Sequence, residues 1–349
     1  MAKQRDYSFD IFRGLCMWAI PISHFTRMGG QFSQDSWGGV VYITINVFVM
    51  QGFMFLSGYF SKNVDKSRQS AFKTALWPYL LSIPFFYVVR YVIYGHATFY
   101  LDTPPFAMWF LLALFVYKFF LRELVRLPHV LLLCTGAYLI AGCLPFLTEF
   151  LALGRIVSYL PFFMIGYFCT PEHIRKLKCL KRYQSLLLFC LLISVSFVLA
   201  YLVPQVSQEW YLLRNPGSYL DVPWYLDIAF RGLLLVLGAA WIILMLNILP
   251  NKDNYLAYVG RNTMPVYIFH LIIRQILKKT DITMGLFPMP AEPLLYYLLI
   301  YALASLCVLV FSARPVVRIY DLAVDGSYNI CRRVFDKLCL KLNLSHKDR

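Results

Sequence analysis

Charged residues are scarce in this chain, and acidic residues are scarcer than basic ones. Only 15% of the 349 residues are Asp, Glu, Lys or Arg, whereas about 25% is usual in soluble domains. Hydrophobic residues make up 60% of the chain, and the mean hydropathy is +0.61. This composition argues against a soluble protein. The net charge of +15 therefore predicts cationic cytoplasmic loops beside a bilayer rather than nucleic-acid binding.

Motifs that define several other classes of protein are absent from the sequence. The nine cysteines form no Cys-x-x-Cys pair, so neither a disulfide framework nor a metal site is expected. The sequence has no P-loop, Gly-x-Gly-x-x-Gly or His-Glu-x-x-His, which argues against an ATP-driven pump and a zinc-dependent intramembrane protease. Carboxylates at membrane depth are limited to Asp10, Asp227 and the flanking Glu149, which weakens but does not exclude an ion-coupled transporter.

Long apolar runs fill most of the sequence. A transmembrane helix needs about 20 mostly apolar residues, and about ten segments qualify. Lysines and arginines concentrate in alternate connections and in the tail, so both termini are predicted to be cytoplasmic. The predicted fold is an all-α polytopic bundle of about ten transmembrane helices, at residues 11–26, 40–60, 72–94, 105–121, 129–147, 151–168, 184–204, 226–248, 261–277 and 291–312.

Little of the chain remains for a separate soluble domain. Residues 1–312 are predicted to form one membrane domain, and residues 313–349 a basic cytoplasmic tail. Because basic residues such as Arg332, Arg333 and Lys337 alternate with apolar ones in the tail, it is predicted to lie on anionic lipid as an amphipathic helix. The bilayer is thus an expected partner and nucleic acid is not, while the oligomeric state stays open.

Titratable side chains at membrane depth are candidates for function, because burying them in lipid is costly. Arg13 and His24 are eleven residues apart in the first segment, so they lie on one helix face about 16 Å apart. The ninth segment contributes Tyr267, His270 and Arg274 on one stripe. Histidines suit general base catalysis and arginines suit anion binding. The alternative is structural: Arg13 extends to lipid phosphates and His24 is a hydrogen-bonded packing residue.

The remaining membrane-depth charges have simpler interpretations. Asp227 and Arg231 are four residues apart in the eighth segment, so they are predicted to neutralise each other. Arg90 is predicted to reach the outer membrane interface. The other basic residues assigned to the outer side, which include Arg27, Arg155 and Arg214, fall in or beside the predicted outer connections.

The residues in order resemble those of the acyltransferase 3 family of membrane acyltransferases. Arg13 and His24, with Asp10 three residues before the arginine, resemble the family's signature in its first membrane helix. Supporting stretches are FMFLSGYF (53–60), FKTALWPYLL (72–81), MWFLLALF (108–115), LPFFMIGYF (160–168) and GRNTMPVYIFH (260–270). Their character is closest to the branch of fucose 4-O-acetylases and related sugar O-acetyltransferases.

The resemblance implies an O-acyltransferase in a bundle of about ten helices. It would take acetyl from cytoplasmic acetyl-CoA and transfer it to a hydroxyl of a cell-envelope glycan or lipid-linked saccharide, in a bacterial inner membrane. Residues that match Arg13 and His24 are thought essential in that family. The chain departs from the family at two points: an Arg-x-x-Arg pair is replaced by Lys73 and Leu76, and Val49 stands where sugar acetylases often have histidine.

Roles for individual residues follow from this chemistry. His24 is predicted to be the base or, alternatively, a transient acyl carrier, and His270 or Tyr267 to orient it or to stabilise the oxyanion. Four cations at the predicted cytoplasmic mouth are expected to bind the phosphates of CoA: Arg13, Arg68, Lys73 and Arg261. Three further residues are expected to line the substrate site: Asp10, Ser57 and Trp109. A glycan or lipid transporter or flippase, and a sensor or scaffold, remain the competing interpretations.

Overall fold

The structure is a computed structural model that describes residues 5–27, 32–148, 150–204, 206–280 and 293–347. Within these ranges the chain forms helices and connections and no strand, which confirms the all-α prediction. The helices are α1 (Tyr7–Thr26), α2 (Trp37–Tyr59), α3 (Val64–Ala71), α4 (Trp77–Tyr94), α5 (Trp109–Phe119), α6 (Leu121–Leu124), α7 (Val130–Ile140), α8 (Leu153–Phe168), α9 (Pro171–Leu177), α10 (Arg182–Phe197), α11 (Gln208–Tyr211), α12 (Trp224–Ile248), α13 (Tyr255–Arg261), α14 (Thr263–Thr280), α15 (Pro293–Phe311) and α16 (Arg314–Lys347).

Six helical stretches of the described residues are long and apolar enough to cross a membrane, and two more are apolar but shorter. The six are Trp37–Tyr59, Val64–Tyr94, Phe150–Phe168, Arg182–Leu202, Trp224–Ile248 and Leu294–Phe311, and the shorter two are Trp109–Phe119 and Val130–Cys143. Each of the ten predicted segments overlaps a helix, including α1 and α14, which carry the candidate site residues. The number of crossings and the orientation of the termini stay predictions.

Several helix limits differ from those predicted from hydropathy. Helix α1 begins at Tyr7 instead of residue 11, because the Asp6 carboxylate caps it by accepting the backbone N–H of Ser8 at 3.0 Å. Partial burial alone would raise the pKa of Asp6, but hydrogen bonds from Ser8 and Lys178 outweigh this effect and lower it. A π-helical turn joins α3 to α4, so this helix is longer than the predicted segment 72–94. Polar capping and backbone geometry therefore decide limits that hydropathy cannot.

Pairs of glycines allow two helix contacts of the bundle to be unusually close. A Cβ atom on Gly14 of α1 would lie 2.0 Å from the carbonyl oxygen of Leu256, and one on Gly260 would lie 1.8 Å from that of Asp10. Small residues are favoured where membrane helices approach closely, because no side chain separates the backbones. These contacts hold the first half of α1 against α13, and Gly58 and Gly166 do the same for α2 and α8.

A buried ion pair links α12 to two other helices. Nε of Arg231 donates to the Asp227 carboxylate at 2.8 Å, and the two side chains are 2% and 0% exposed. The other carboxylate oxygen accepts from the indole of Trp210, while Nη1 of Arg231 donates to Oγ of Ser158 at 2.9 Å. Asp227 and Arg231 therefore neutralise each other as predicted, and they bind α12 to α8 and α11.

The tail forms one long helix, α16, whose first half contacts the bundle. Lys73 lies 2.9 Å from the carboxylate of Asp325, and the Trp77 indole donates to Ser327 at 3.1 Å. The side chains of residues 338–347 lie outside the described part of the chain, as do those of two predicted tail cations, Lys341 and Lys347. The division at residue 312 and the lipid contact of the tail stay predictions.

We call the end of the bundle at which α1 begins the proximal end, and the end at which α1 finishes the distal end. The predicted topology puts the proximal end in the cytoplasm. Arg13 lies towards the proximal end of α1 and His24 towards the distal end.

Candidate active site

His24 near the end of α1 faces His270 in the middle of α14. Nδ1 of His24 lies 2.9 Å from Nε2 of His270, and the ring centroids are 5.1 Å apart with the planes 28° from parallel. His270 is fully buried, whereas His24 is partly exposed. The structure thus brings together the two histidines that sequence reasoning placed on separate helices.

The hydrogen bonds of His270 assign the protons of this pair. Nδ1 of His270 lies 2.8 Å from the carbonyl oxygen of Val266, and because a carbonyl only accepts, this nitrogen carries the proton. Nε2 of a neutral His270 then accepts from Nδ1–H of His24. The same tautomer leaves Nε2 of His24 without a proton, so His24 has the basic nitrogen that a general base requires.

His24 lines a cavity of about 500 Å³ at the distal end of the bundle. The wall is formed by the last turns of α1 and α14, by parts of α2, α4 and α8, and by the connection that leads into α5. Exposed residues of this wall, including Thr98, Phe99 and Lys278, connect the cavity to the surface. Its size suits a small organic ligand, since ligand sites commonly measure about 300–1,000 Å³.

The cavity wall is strongly cationic. Five arginines and one lysine line it, and no described residue of the lining is acidic. Two of the arginines are one helical turn beyond a histidine of the pair, because Arg27 follows His24 by three residues and Arg274 follows His270 by four. The six cations are Arg27, Arg90, Arg155, Arg214, Arg274 and Lys278, and we call them the distal cluster.

Two arginines of the distal cluster share one carboxylate. Arg27 lies 3.8 Å from Oε1 of Glu209, and Arg214 lies 3.6 Å from Oε2 of the same residue. Arg27 also donates to the hydroxyl of Tyr42 at 3.2 Å. Nε of Arg274 is buried without a hydrogen-bond partner among the described residues. One nearby carboxylate is therefore placed to compensate more than one positive charge.

Aromatic rings form another part of the wall and support two of the cations. The ring of Trp109 stacks on that of Tyr159 with centroids 5.1 Å apart, and the guanidinium carbon of Arg155 lies 5.0 Å from the Trp109 ring centre. Arg90 lies over Phe106 at 4.4 Å. Trp109 and Arg90 therefore both line the cavity, and the contact of Trp109 with a substrate stays a prediction.

Tyr267 lines the cavity but uses its hydroxyl proton elsewhere. The hydroxyl donates to the backbone carbonyl of Ala107, in the connection that leads into α5. A phenol has only one proton to donate. In this arrangement Tyr267 fixes the connection against α14, and it offers no O–H to a reacting carbonyl oxygen.

Three of the four predicted CoA-binding cations pair with an acidic side chain at the proximal end. Arg68 pairs with Glu123 at 2.8 Å, and Lys73 pairs with Asp325 of the tail at 2.9 Å. Arg261 lies 3.0 Å from Asp253. Arg68, Lys73 and Arg261 are not among the described residues that line the distal cavity.

Arg13, Asp10 and Ser57 also lie towards the proximal end. The guanidinium carbon of Arg13 is 4.6 Å from the ring centre of Phe60. Asp10 is buried and lies 2.7 Å from Nη2 of Arg5. The carbonyl of Ser57 accepts the hydroxyl of Ser61 at 2.7 Å. Asp10 and Ser57, predicted to line the substrate site, are not among the residues that line the cavity.

Sequence reasoning missed most of the distal cluster. The sequence assigns Arg27, Arg155 and Arg214 to the outer side as topology charges and not to the site. Helical spacing could have found one of them, since a residue three positions after His24 lies on the same side of α1. Arg155 and Arg214 reach the cavity through tertiary packing, for which the linear sequence has no corresponding signal.

The fold and the site define a helical membrane protein with a paired-histidine site beside an open cavity. The chain matches the acyltransferase 3 family, described as an acyltransferase domain, over residues 6–313. This match covers most of its length, so the chain belongs to that family and is a membrane acyltransferase. No curated protein and no solved structure matches the chain.

Proposed function

We propose that the protein transfers an acetyl group from cytoplasmic acetyl-CoA to a hydroxyl of a cell-envelope glycan or lipid-linked saccharide, in a bacterial inner membrane. The observation that carries this proposal is the His24–His270 pair, at 2.9 Å, with His24 lining an open cavity. A base beside a sugar-sized cavity is what transfer to an alcohol requires. The family membership supports acyl transfer, and the sugar acceptor is inferred from the resemblance to sugar O-acetyltransferases.

His24 acts as the general base in this proposal. Its Nε2 removes the proton from the acceptor hydroxyl as the oxygen attacks the thioester carbonyl. The tetrahedral intermediate then breaks its carbon–sulfur bond, and the CoA sulfur leaves with the proton that His24 gained. His270 accepts Nδ1–H of His24 throughout the reaction. It is therefore a positioning residue, because this hydrogen bond keeps the basic Nε2 of His24 directed away from His270.

The oxyanion of the intermediate needs a donor in the same cavity. The Tyr267 hydroxyl is directed to Ala107, so the guanidinium groups of the cavity wall are better candidates for this role. Arg155 lines the cavity with His24 and is the donor that we assign to the oxyanion. A guanidinium combines positive charge with several N–H donors, which suits an oxygen that becomes negative in the transition state.

The CoA moiety is proposed to bind from the proximal end. Arg13 lies on the same face of α1 as His24, about 16 Å away, and Arg68, Lys73 and Arg261 surround the same end. Buried Met17 and Ile20 lie between Arg13 and His24 along this face. We infer that the acyl arm of CoA displaces the flexible Met17 side chain to reach His24.

Labelled acetyl-CoA and an envelope extract test the proposal in purified protein. We expect His24→Ala to reduce label transfer by about 10²–10⁴-fold, as removal of a general base does, and Arg13→Ala to remove it through loss of CoA binding. The matched controls are His173→Ala and Arg175→Ala, which change exposed residues of α9. Label that wild-type protein takes up from acetyl-CoA alone, that neutral hydroxylamine releases and that His24→Ala protein does not take up would indicate that His24 is an acyl carrier instead of a base.

Retained transfer in both His24→Ala and Arg13→Ala would contradict the mechanism. Movement of a glycan across vesicles without consumption of acetyl-CoA would instead support a transporter or flippase. Thermal unfolding of each variant, measured beside wild type, separates lost chemistry from lost folding.

A further inference from the structure

We propose that the acceptor carries a negative charge, a carboxylate or a phosphate, and that the distal cluster binds it beside the hydroxyl that reacts. This inference rests on the proposed acetyl transfer and adds the chemical class of the acceptor. It depends on the sign and position of the charges in the cavity wall.

The composition of the wall is the first support. Six cations and no described acidic residue line a cavity of about 500 Å³, and Glu209 is the carboxylate shared by two of them. A cavity lined by charges of one sign concentrates ligands of the opposite sign. An anionic acceptor is therefore favoured over a neutral one in this cavity.

The chemical type of the cations is the second support. Five of the six are arginines, whose planar fork of N–H donors matches the oxygens of a carboxylate or a phosphate. Arg90 and Arg155 lie over the rings of Phe106 and Trp109. These rings orient the guanidinium planes. The wall is therefore prepared for an oxyanion by both charge and shape.

The position of the cluster is the third support. Arg27 is three residues beyond His24, and Arg274 is four residues beyond His270, so both are about 5–6 Å from a histidine at the level of their Cβ atoms. Nε of Arg274 is buried without a hydrogen-bond partner among the described residues. An acceptor anchored there through its anionic group would present a hydroxyl of the same or the adjoining sugar unit to His24.

The cluster lies at the end of the bundle opposite the predicted CoA-binding cations. Arg13 is about 16 Å from His24 along α1 in the proximal direction, whereas Arg27 lies beyond His24 in the distal direction. The phosphates of CoA and the anion of the acceptor would therefore bind on opposite sides of the same histidine. Substitutions of Arg27 and Arg274 should change acceptor binding and leave acetyl-CoA binding unchanged.

Binding to the His24→Ala protein tests the inference without requiring catalysis. The probes are a glucuronic acid tetrasaccharide, the same tetrasaccharide with its carboxylates reduced to alcohols, and inorganic diphosphate. We expect the charged tetrasaccharide or diphosphate to bind at least about tenfold more tightly than the reduced sugar, the factor that one charge-assisted hydrogen bond supplies. Preference for the tetrasaccharide assigns the charge to a sugar carboxylate, and preference for diphosphate assigns it to a phosphate.

Variants connect this preference to the cluster. In Arg27→Gln and Arg274→Gln proteins the preference for the anionic probe should fall about tenfold, whereas the exposed control Arg175→Gln should retain it. Equal binding of charged and reduced probes to the parent protein would overturn the inference. Higher KM for acetyl-CoA in the Arg27→Gln and Arg274→Gln enzymes, with acceptor KM unchanged, would also overturn it.

A transfer assay keeps the two proposals distinguishable. If wild-type protein acetylates the reduced sugar as well as the charged one, acetyl transfer stands and the anionic acceptor fails. If the probes bind as expected but wild type releases no CoA with any acceptor, the anion site stands and the proposed acetyl transfer fails.

Discussion

Both ends of the bundle carry clustered cations, but they compensate the positive charge differently. At the proximal end Arg68, Lys73 and Arg261 each pair with an acidic side chain of their own, at 2.8–3.0 Å. At the distal end Arg27 and Arg214 share the more distant Glu209, and no described residue of the cavity lining is acidic. Cations that pair with acidic side chains join elements of the fold, whereas a cavity that is lined by cations favours an anionic ligand.

This comparison changes the interpretation of the basic composition. Sequence reasoning divided the charge between topology and the binding of CoA at the inner mouth. The structure adds a second concentration of arginines beside His24, at the opposite end. The proximal and distal cations should therefore respond differently to substitution.

The largest expected effect concerns the histidine pair. His270→Leu removes the acceptor for Nδ1–H of His24, so the orientation of the base is lost and we expect transfer to fall by about 10²–10⁴-fold. His270→Gln offers an amide oxygen at a similar position and should recover part of the rate. The pH–rate profiles of the two variants provide the measurement. Equal rates and unchanged profiles in both variants would show that His270 only fills space.

A large loss of stability is expected when the buried ion pair of Asp227 and Arg231 is broken. Asp227→Ala leaves the 2% exposed Arg231 without its carboxylate, which should lower the free energy of unfolding by about 3–5 kcal/mol. Asp253→Ala removes an exposed pair with Arg261 and should cost less than about 1 kcal/mol. Denaturation in detergent compares the two variants. Equal losses would contradict the distinction between buried and exposed pairs.

The proximal pairs should show a smaller effect that is specific for the donor. Arg68→Gln should raise the KM for acetyl-CoA by about two- to fivefold, the range expected for an exposed charge. Glu123→Gln frees Arg68 from its 2.8 Å partner and should lower that KM. Steady-state kinetics with each substrate varied separately checks both. A change confined to the acceptor KM would reverse the assignment of the two ends.

The smallest effect is expected at Tyr267. Because its hydroxyl donates to the carbonyl of Ala107, Tyr267→Phe should lower stability by about 0.5–1.5 kcal/mol, the net value of one hydrogen bond. The kcat should stay within a few-fold of wild type. A fall of about 10²–10³-fold in kcat, with folding intact, would instead identify Tyr267 as an oxyanion donor.

Much of the helical framework could be predicted from hydropathy, because apolar runs of membrane length leave few alternatives to helices. The residues at which the helices begin and end could not be predicted in the same way. Asp6 extends α1 by capping it, and Val64–Tyr94 becomes one long helical stretch through a π-helical turn. Both depend on local hydrogen bonds that an average of hydropathy does not represent.

The candidate site was predicted in part. His24 and His270 could be selected because histidines at membrane depth are costly and few, and their contact was left open until the packing was known. Arg155 and Arg214 could not be selected, since they follow no helical stripe and are brought to the cavity by α8 and the connection after α11. Asp10 and Ser57 were placed with the substrate from motif position alone, and they lie outside the cavity lining.

Transfer across a sealed membrane tests the central claim, that one histidine connects a proximal donor to a distal acceptor. Right-side-out vesicles would be loaded with labelled acetyl-CoA, and a glycan acceptor would be added outside, with His24→Ala protein as the control. The account predicts that label appears on the external acceptor in wild-type vesicles and not in the control. Label transfer only when donor and acceptor share the same side would contradict it.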